Sequence, residues 1–243
     1  MEKKFELTAE CKVVCGINLF RIKALRAIAR FGVRIGDLGG WVEKEENVDH
    51  DGDAWVYGDA RVCGNARVCG NAGVCGDAWV CGDARVCGNA RVYGDARVCG
   101  NAWVCGNAGV CGDAWVYGDA RVCGNARVCG NAWVYGDARV CGNAWVYGDA
   151  RVCGNAWVCG NARVCGDARV YGDADCLWFK NTWSSGRWFT YTRSNKKWKV
   201  GCFYGTGEEL IANAYKDSEL SGRCYEATVR YVEAIEKAKG GVR

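Results

Sequence analysis

Residues 113–130 read Asp113-Ala114-Trp115-Val116-Tyr117-Gly118-Asp119-Ala120-Arg121-Val122-Cys123-Gly124-Asn125-Ala126-Arg127-Val128-Cys129-Gly130. They are three copies of one unit, Asp/Asn-Ala-x-Val-y-Gly. The unit runs from Asp53 to Gly172 without an insertion, in 20 copies. Ala, Val and Gly never change; x is Arg in 11 copies, Trp in seven and Gly in two, and y is Cys in 14 and Tyr in six. A fixed short period of this kind is the mark of a solenoid. Ala-x-Val reads as a short strand whose side chains alternate between two faces. Ala and Val point inward, because a narrow interior cannot hold Trp and Arg in one slot. Position x therefore faces solvent. Gly with the next Asp or Asn makes the corner, where a left-handed backbone is tolerated.

The order of the copies sets the number of faces. Every third copy gives one column that begins Asp53, Asn71, Asn89, Asn107, Asn125, Asn143, Asn161, and a neighbour that reads Asp59, Asp77, Asp95, Asp113, Asn131, Asp149, Asp167. One is almost all Asn and the other almost all Asp. Reading every second copy segregates nothing. The coil is thus 18 residues with three faces, and the Asn column predicts stacked amide hydrogen bonds. The third column has Cys at every y: Cys69, Cys87, Cys105, Cys123, Cys141 and Cys159.

The unit Val-y-Gly-Asp/Asn-Ala-x resembles the hexapeptide repeat of the left-handed parallel β-helix superfamily, which includes acyltransferases and γ-class carbonic anhydrases. The left hand is implied by the resemblance alone, since the general rule for parallel crossovers favours the right hand. A second stretch, Gly36-Asp37-Leu38-Gly39-Gly40-Trp41-Val42-Glu43 followed by Glu46-Asn47-Val48, is similar to the lead-in of YdcK-type transferase-like proteins and related bacterial and phage hexapeptide-repeat proteins. The expected fold is mainly β: a left-handed parallel β-helix over residues 53–172, an N-terminal β-rich cap over 1–52 and a small C-terminal α+β cap over 173–243.

The flanks read as covers for the open strand edges of the stack. Asn18–Ile22 and Val33–Ile35 suggest short strands, and Lys23–Arg30 a short helix. Trp188–Thr192 and Trp198–Phe203 suggest two strands joined at Ser194-Asn195-Lys196. Thr206-Gly207-Glu208-Glu209 is a capping box that opens a helix. A second helix is expected from Ser221 to Lys239, with Tyr225, Val229, Val232 and Ile235 on one stripe. The tail is expected to dock on the last coil.

Composition excludes several classes. The chain has 35 Gly but no Pro and no three-residue glycine period, so it is not collagen. Half of it is apolar and 12 residues are Trp, which argues against disorder. No apolar run reaches the ~20 residues of a membrane helix. The start lacks the apolar core of a signal peptide. The expected compartment is the cytoplasm, where thiols stay reduced. Net charge is +4 overall, and 0, +1 and +3 over residues 1–52, 53–172 and 173–243. Without a basic arm, nucleic acid is not an expected partner.

Catalytic chemistry finds little support. The acyltransferases that the repeat resembles use a histidine base, and the chain has one histidine, His50, between Asp49 and Asp51. It reads as a solvated linker residue. Three histidine zinc ligands cannot be assembled within one chain, and Gly205-Thr206-Gly207 lacks the lysine of a phosphate loop. No catalytic residue, metal or cofactor is assigned.

The 19 cysteines keep three readings open. They are semi-exposed side chains at the edge of each face, or a vertical disulfide ladder, since strands ~4.8 Å apart fall within disulfide Cα range. Metal binding is the third, although the C-x5-C spacing puts neighbours on different faces.

Position x on the Asp-led face reads Arg61, Trp79, Arg97, Trp115, Trp133, Arg151, Arg169. Arg and Trp at β spacing suit cation–π stacking of the surface on itself. The binding reading is an exposed aromatic patch of Trp115, Tyr117, Trp133 and Tyr135, with Trp79 and Arg97 beside it. It suits an unknown protein or glycan partner, or a homo-oligomer interface. The function expected is a non-enzymatic structural or binding protein of phage or prophage relation. The alternative is an acyltransferase-like enzyme whose subunits supply a composite site near His50.

Overall fold

A computed structural model describes residues 3–240. Each Ala-x-Val segment contributes a two-residue strand, and strands 18 residues apart pair in parallel, as Arg97 opposite Trp115 and Val98 opposite Val116. Three sheets wrap one interior. One contains Arg61–Val62 to Arg169–Val170, the second Trp55–Val56 to Arg163–Val164 and the third Arg67–Val68 to Trp157–Val158. These are the Asp-led face, the Asn-led face and the face whose y residues are all Cys. The parallel β-solenoid with 18-residue coils expected from the columns is the fold observed.

The interior is Ala and Val from Ala54 to Val170, each at most 1 % exposed. The ladder is regular: Arg97 N donates to Ala114 O at 2.9 Å and Cys99 N to Val116 O at 3.0 Å. The corners need glycine for two reasons, as Gly106 shows. Its φ is +69°, and a Cβ there would lie 3.0 Å from the carbonyl oxygen of Gly124 one coil on. Beside these corners the predicted amide ladder forms. Asn89 Nδ2 donates to Asn107 Oδ1 at 3.0 Å, Asn107 to Asn125 at 3.1 Å, and Asn125 to Asn143 at 3.0 Å.

The N-terminal segment is an antiparallel hairpin, Phe5–Val14 with Ile17–Ala24, turning through Cys15 and Gly16, both at positive φ. Leu38–Val42 pairs antiparallel with its second strand and parallel with Arg61–Val62, so the cap merges into the Asp-led sheet. Val48 bridges in parallel to Val68. Residues 38–52 thus make an irregular coil beneath the first hexads. The helix expected near Lys23–Arg30 is absent. Strand pairing holds the chain extended through Ala24, Leu25 N donates to Lys4 O at 2.8 Å, and only a 3-10 turn, Ala29–Phe31, follows.

The C-terminal segment is a four-stranded antiparallel sheet, Cys176–Lys180, Trp188–Thr192, Lys197–Val200 and Phe203–Gly205, followed by helices Gly207–Asp217 and Glu219–Gly240. Thr206 caps the first helix as expected: its hydroxyl accepts from Glu209 N while the Glu209 carboxylate accepts from Thr206 N. Phe189, Tyr191, Trp198, Leu210, Tyr225 and Val229 form a separate core. This unit docks on the last coil through its polar side chains. Thr190 Oγ1 accepts from Arg163 N at 2.9 Å and Ser194 Oγ from Arg169 N at 2.7 Å. On the third face Asp173 Oδ1 accepts from Trp157 N at 2.9 Å. Each final strand therefore has the N–H of its x residue closed by a side-chain oxygen. At the other end Asn47 Nδ2, buried, donates to Ala66 O at 2.9 Å. Among the described residues no helix is long and apolar enough to cross a membrane.

Candidate functional site: aromatic and thiol columns on the outer faces

Positions x and y flank an inward Val, so both side chains of each copy stand on the outer face. Parallel in-register pairing stacks them coil on coil. On the Asp-led face Trp115 and Trp133 stack with centroids 5.3 Å apart and planes 11° off parallel. Tyr117 and Tyr135 do so at 4.9 Å and 2°. Within a coil, Trp115 meets Tyr117 edge to face at 6.4 Å and 80°. Arg97 lies 4.8 Å from the Trp115 centroid and Arg151 4.9 Å from that of Trp133. Arg97, Trp115, Trp133 and Arg151 thus form one pile along the solenoid axis.

That geometry decides what the patch offers. The ring separations match the strand spacing of ~4.8 Å. The ring faces therefore look along the axis and cover one another, and the edges look outward. All four aromatics are half-buried, so the patch is less open than its sequence suggests. Each stacked aromatic pair contributes roughly 0.5–1.5 kcal/mol and each exposed cation–π contact roughly 0.5–1 kcal/mol. Burial raises the Tyr117 phenol, and Tyr135 is pushed up to about 12, first by its hydrogen bond with Cys153 and then by burial. Neither phenol is an acid or base near neutrality.

Five of the six residues singled out in the sequence come together. Trp79 does not: it packs with Leu19, Trp41 and Cys63 at the seam with the N-terminal cap, and its Nε1 donates to Cys63 Sγ at 3.2 Å. Sequence reasoning missed Arg151 as the closing member of the pile. It also missed two sandwiches on the other faces, Arg85–Trp103–Arg121 and Arg127–Trp145–Arg163. The 18-residue period read over position x of all three columns contains both.

The cysteines stack in the same way. On the third face strand register sets Cys69 beside Cys87 and Cys87 beside Cys105, and Cys69 Sγ donates to Val86 O at 3.9 Å. On the Asp-led face Cys81 sits between Cys63 and Cys99. Hydrogen bonds from Cys87 and Cys81 pull Cys69 and Cys63 down to about 7, while Cys87 and Cys81 are driven up. Among the described residues no three or more His, Cys, Asp or Glu side chains are grouped to hold a metal ion.

His50 is not a solvated linker residue. Its ring stacks on Phe5 at 4.5 Å, Nδ1 accepts from Lys4 N at 3.0 Å, and Nε2 lies 2.7 Å from Glu45 Oε1. A ring nitrogen that accepts a backbone N–H carries no proton, so Nε2 bears it and donates to Glu45. Lys3 and then His50 hold the Glu45 carboxyl below its ordinary range. His50 borders an open cleft of about 530 Å³ that also includes Lys44, Asp49, Asn65 and Arg67. Asp49 pairs with Arg67 across it.

With this geometry in hand, the repeat can be compared with known families. The YdcK β-solenoid repeat matches residues 60–76, 84–100, 90–106, 120–136, 132–148, 138–154, 144–160 and 162–174. The array is a β-solenoid of YdcK type. No curated protein matches the chain. The matched segments include Trp133, Tyr135 and the stacked thiols Cys87, Cys105, Cys123 and Cys141. Trp115 and Tyr117 lie between two matched segments.

Proposed function

We propose that this YdcK-type solenoid is a non-enzymatic structural or binding protein that presents the outer faces of its array to a protein partner. The observation that carries the reading is the state of His50. Nδ1 spends its lone pair on Lys4 N and Nε2 spends its proton on Glu45. A general base needs a free lone pair within reach of its substrate. This imidazole is a fastening between the cap and the first coil.

The arrangement of the patch favours a protein over a glycan. A sugar stacks on an open ring face, and both faces of Trp115 and Trp133 are covered, by one another and by Arg97 and Arg151, while Tyr117 and Tyr135 each cover one face of the other. Ring edges and guanidinium N–H groups suit a protein surface, including a second copy of this chain. A cytoplasmic setting fits free stacked thiols. The likeness of residues 36–48 to bacterial and phage repeat proteins supports a phage or prophage origin.

The test is incubation with acetyl-CoA, followed by chromatography of the thioester and by thermal melting. The expected result is no consumption above the buffer control and no shift in melting. His50→Ala should lower stability by about 1–3 kcal/mol, the cost of stranding two hydrogen-bond partners, with no change in that chromatogram. Consumption of acetyl-CoA that disappears in His50→Ala would favour the acyltransferase reading instead.

A further inference from the structure

Gly73 and Gly109 are the two copies whose position x has no side chain. Both lie on the Asn-led face, where the x column reads Trp55, Gly73, Arg91, Gly109, Arg127, Trp145, Arg163. The place beside Gly73 is filled from outside the array. A Cβ on Gly73 would lie 3.0 Å from the ring of Phe31, which the N-terminal cap lays there. Around Gly109 no atom comes within 4 Å of the Cβ position. This notch opens into a cavity of about 500 Å³ bordered by Arg91, Arg127, Arg30, Tyr93 and Cys111, with no acidic side chain in its lining.

The same column shows what such a place accepts. Trp145 lies between Arg127 and Arg163, whose guanidinium carbons are 5.2 and 5.4 Å from its ring centroid. On the third face Trp103 lies between Arg85 and Arg121 at 5.3 and 5.5 Å. Arg91 and Arg127 are the outer members of the same triplet, paired in register with Gly109 from either side. Two strand spacings, about 10 Å, separate their backbones. That distance admits one flat ring with a guanidinium over each face.

We propose that the Gly109 notch binds a small planar aromatic anion, with its ring between Arg91 and Arg127 and its charge towards Arg30. Charge sets the sign of the ligand. Three guanidinium groups border the cavity. Against them stand two thiols, Cys75 and Cys111, of which Cys111 is pulled down to about 6 chiefly by its hydrogen bond from Cys129. The flat shape is set by the backbone spacing, and an electron-rich ring is favoured by cations on both faces. The notch is on a different face from the Trp115 pile, so neither site depends on the other.

The test is calorimetric titration of the whole chain with indole-3-acetate, compared with tryptamine and with cyclohexylacetate. Indole-3-acetate should bind at least about tenfold more tightly than either comparator, because the first lacks the anion and the second the ring. Gly109→Trp should supply the missing ring covalently, keep or raise the melting temperature, and abolish the heat. Arg91→Gln, a side chain that stacks on no tryptophan here, should weaken binding about fivefold. Three results would each overturn the proposal: no heat with indole-3-acetate, equal binding of tryptamine, or undiminished binding in Arg91→Gln. The glutamine variant decides the matter even where Gly109→Trp fails to fold.

Discussion

Lys4 is the residue whose burial costs the fold most plainly. It is fully enclosed, its Nζ has no hydrogen-bond partner, and its pKa is pulled down to about 8 by burial, with Arg26 adding to the effect. A lysine whose folded pKa lies below its unfolded value stabilises most above that unfolded value, near 10.5, and the contribution fades as pH falls towards 8. Lys4→Met should therefore be more stable than the parent at neutral pH by roughly 1–3 kcal/mol. The gap should narrow between pH 8 and pH 10 as the parent loses its proton. Thermal melts of both proteins across that range check this, and a gap that widens with pH would refute it. Such an effect was not legible in the sequence, because nothing about Met1-Glu2-Lys3-Lys4 says which lysine the hairpin turns inward. His50 was misread for the same reason. Its flanking aspartates suggest solvent, yet Phe5 and Glu45 close around it from positions 45 and five residues away.

Corners decide how the strands align. The interior is the same Ala and Val in every copy, so it cannot distinguish a strand from its neighbour one hexad on. The Asn column can, because each amide both donates and accepts along the axis. Asn125→Ala removes a donation to Asn143 and an acceptance from Asn107. It should cost about 1 kcal/mol, since both bonds are exposed. Asp95→Ala, at the neighbouring corner between Asp77 and Asp113, removes like-charge repulsion and should be neutral or stabilising. Denaturant melts of the two variants compare them directly, and equal losses would show that the amide ladder does not matter. The columns, the three faces and both C-terminal helices were legible because each rests on a period within one element. The candidate patch was legible only in part. The 18-residue period placed Trp115 over Trp133, but the cap that claims Trp79 and the Phe31 ring beside Gly73 arrive through contacts that no period encodes.

At the scale of the molecule, stability is a sum over coils and the seams between them. Removing Asn125–Gly142 takes out one whole coil and joins Gly124 to Asn143. The three columns stay in register, and the new seams place Trp115 against Arg151, Arg121 against Trp157 and Asn107 against Asn143. All three pairings already occur in kind elsewhere in the array. The shortened chain should fold cooperatively and lose ~4.8 Å of length, and scattering with thermal melting would show it; an unfolded product would mean that seams are not interchangeable. Every surface argued for here depends on that 18-residue coil. Its most direct test uses the thiols already present. Strands in register put Cys69 beside Cys87 and Cys123 beside Cys141, with Cα atoms near the strand spacing of ~4.8 Å, inside disulfide range. Mild peroxide oxidation of the folded protein joins two thiols into a disulfide as peroxide is reduced to water, and peptide mass mapping locates each bond. The account predicts that intramolecular links within the array join cysteines 18 residues apart, such as Cys69–Cys87 and Cys123–Cys141. Links that predominantly join cysteines six or twelve residues apart would contradict it.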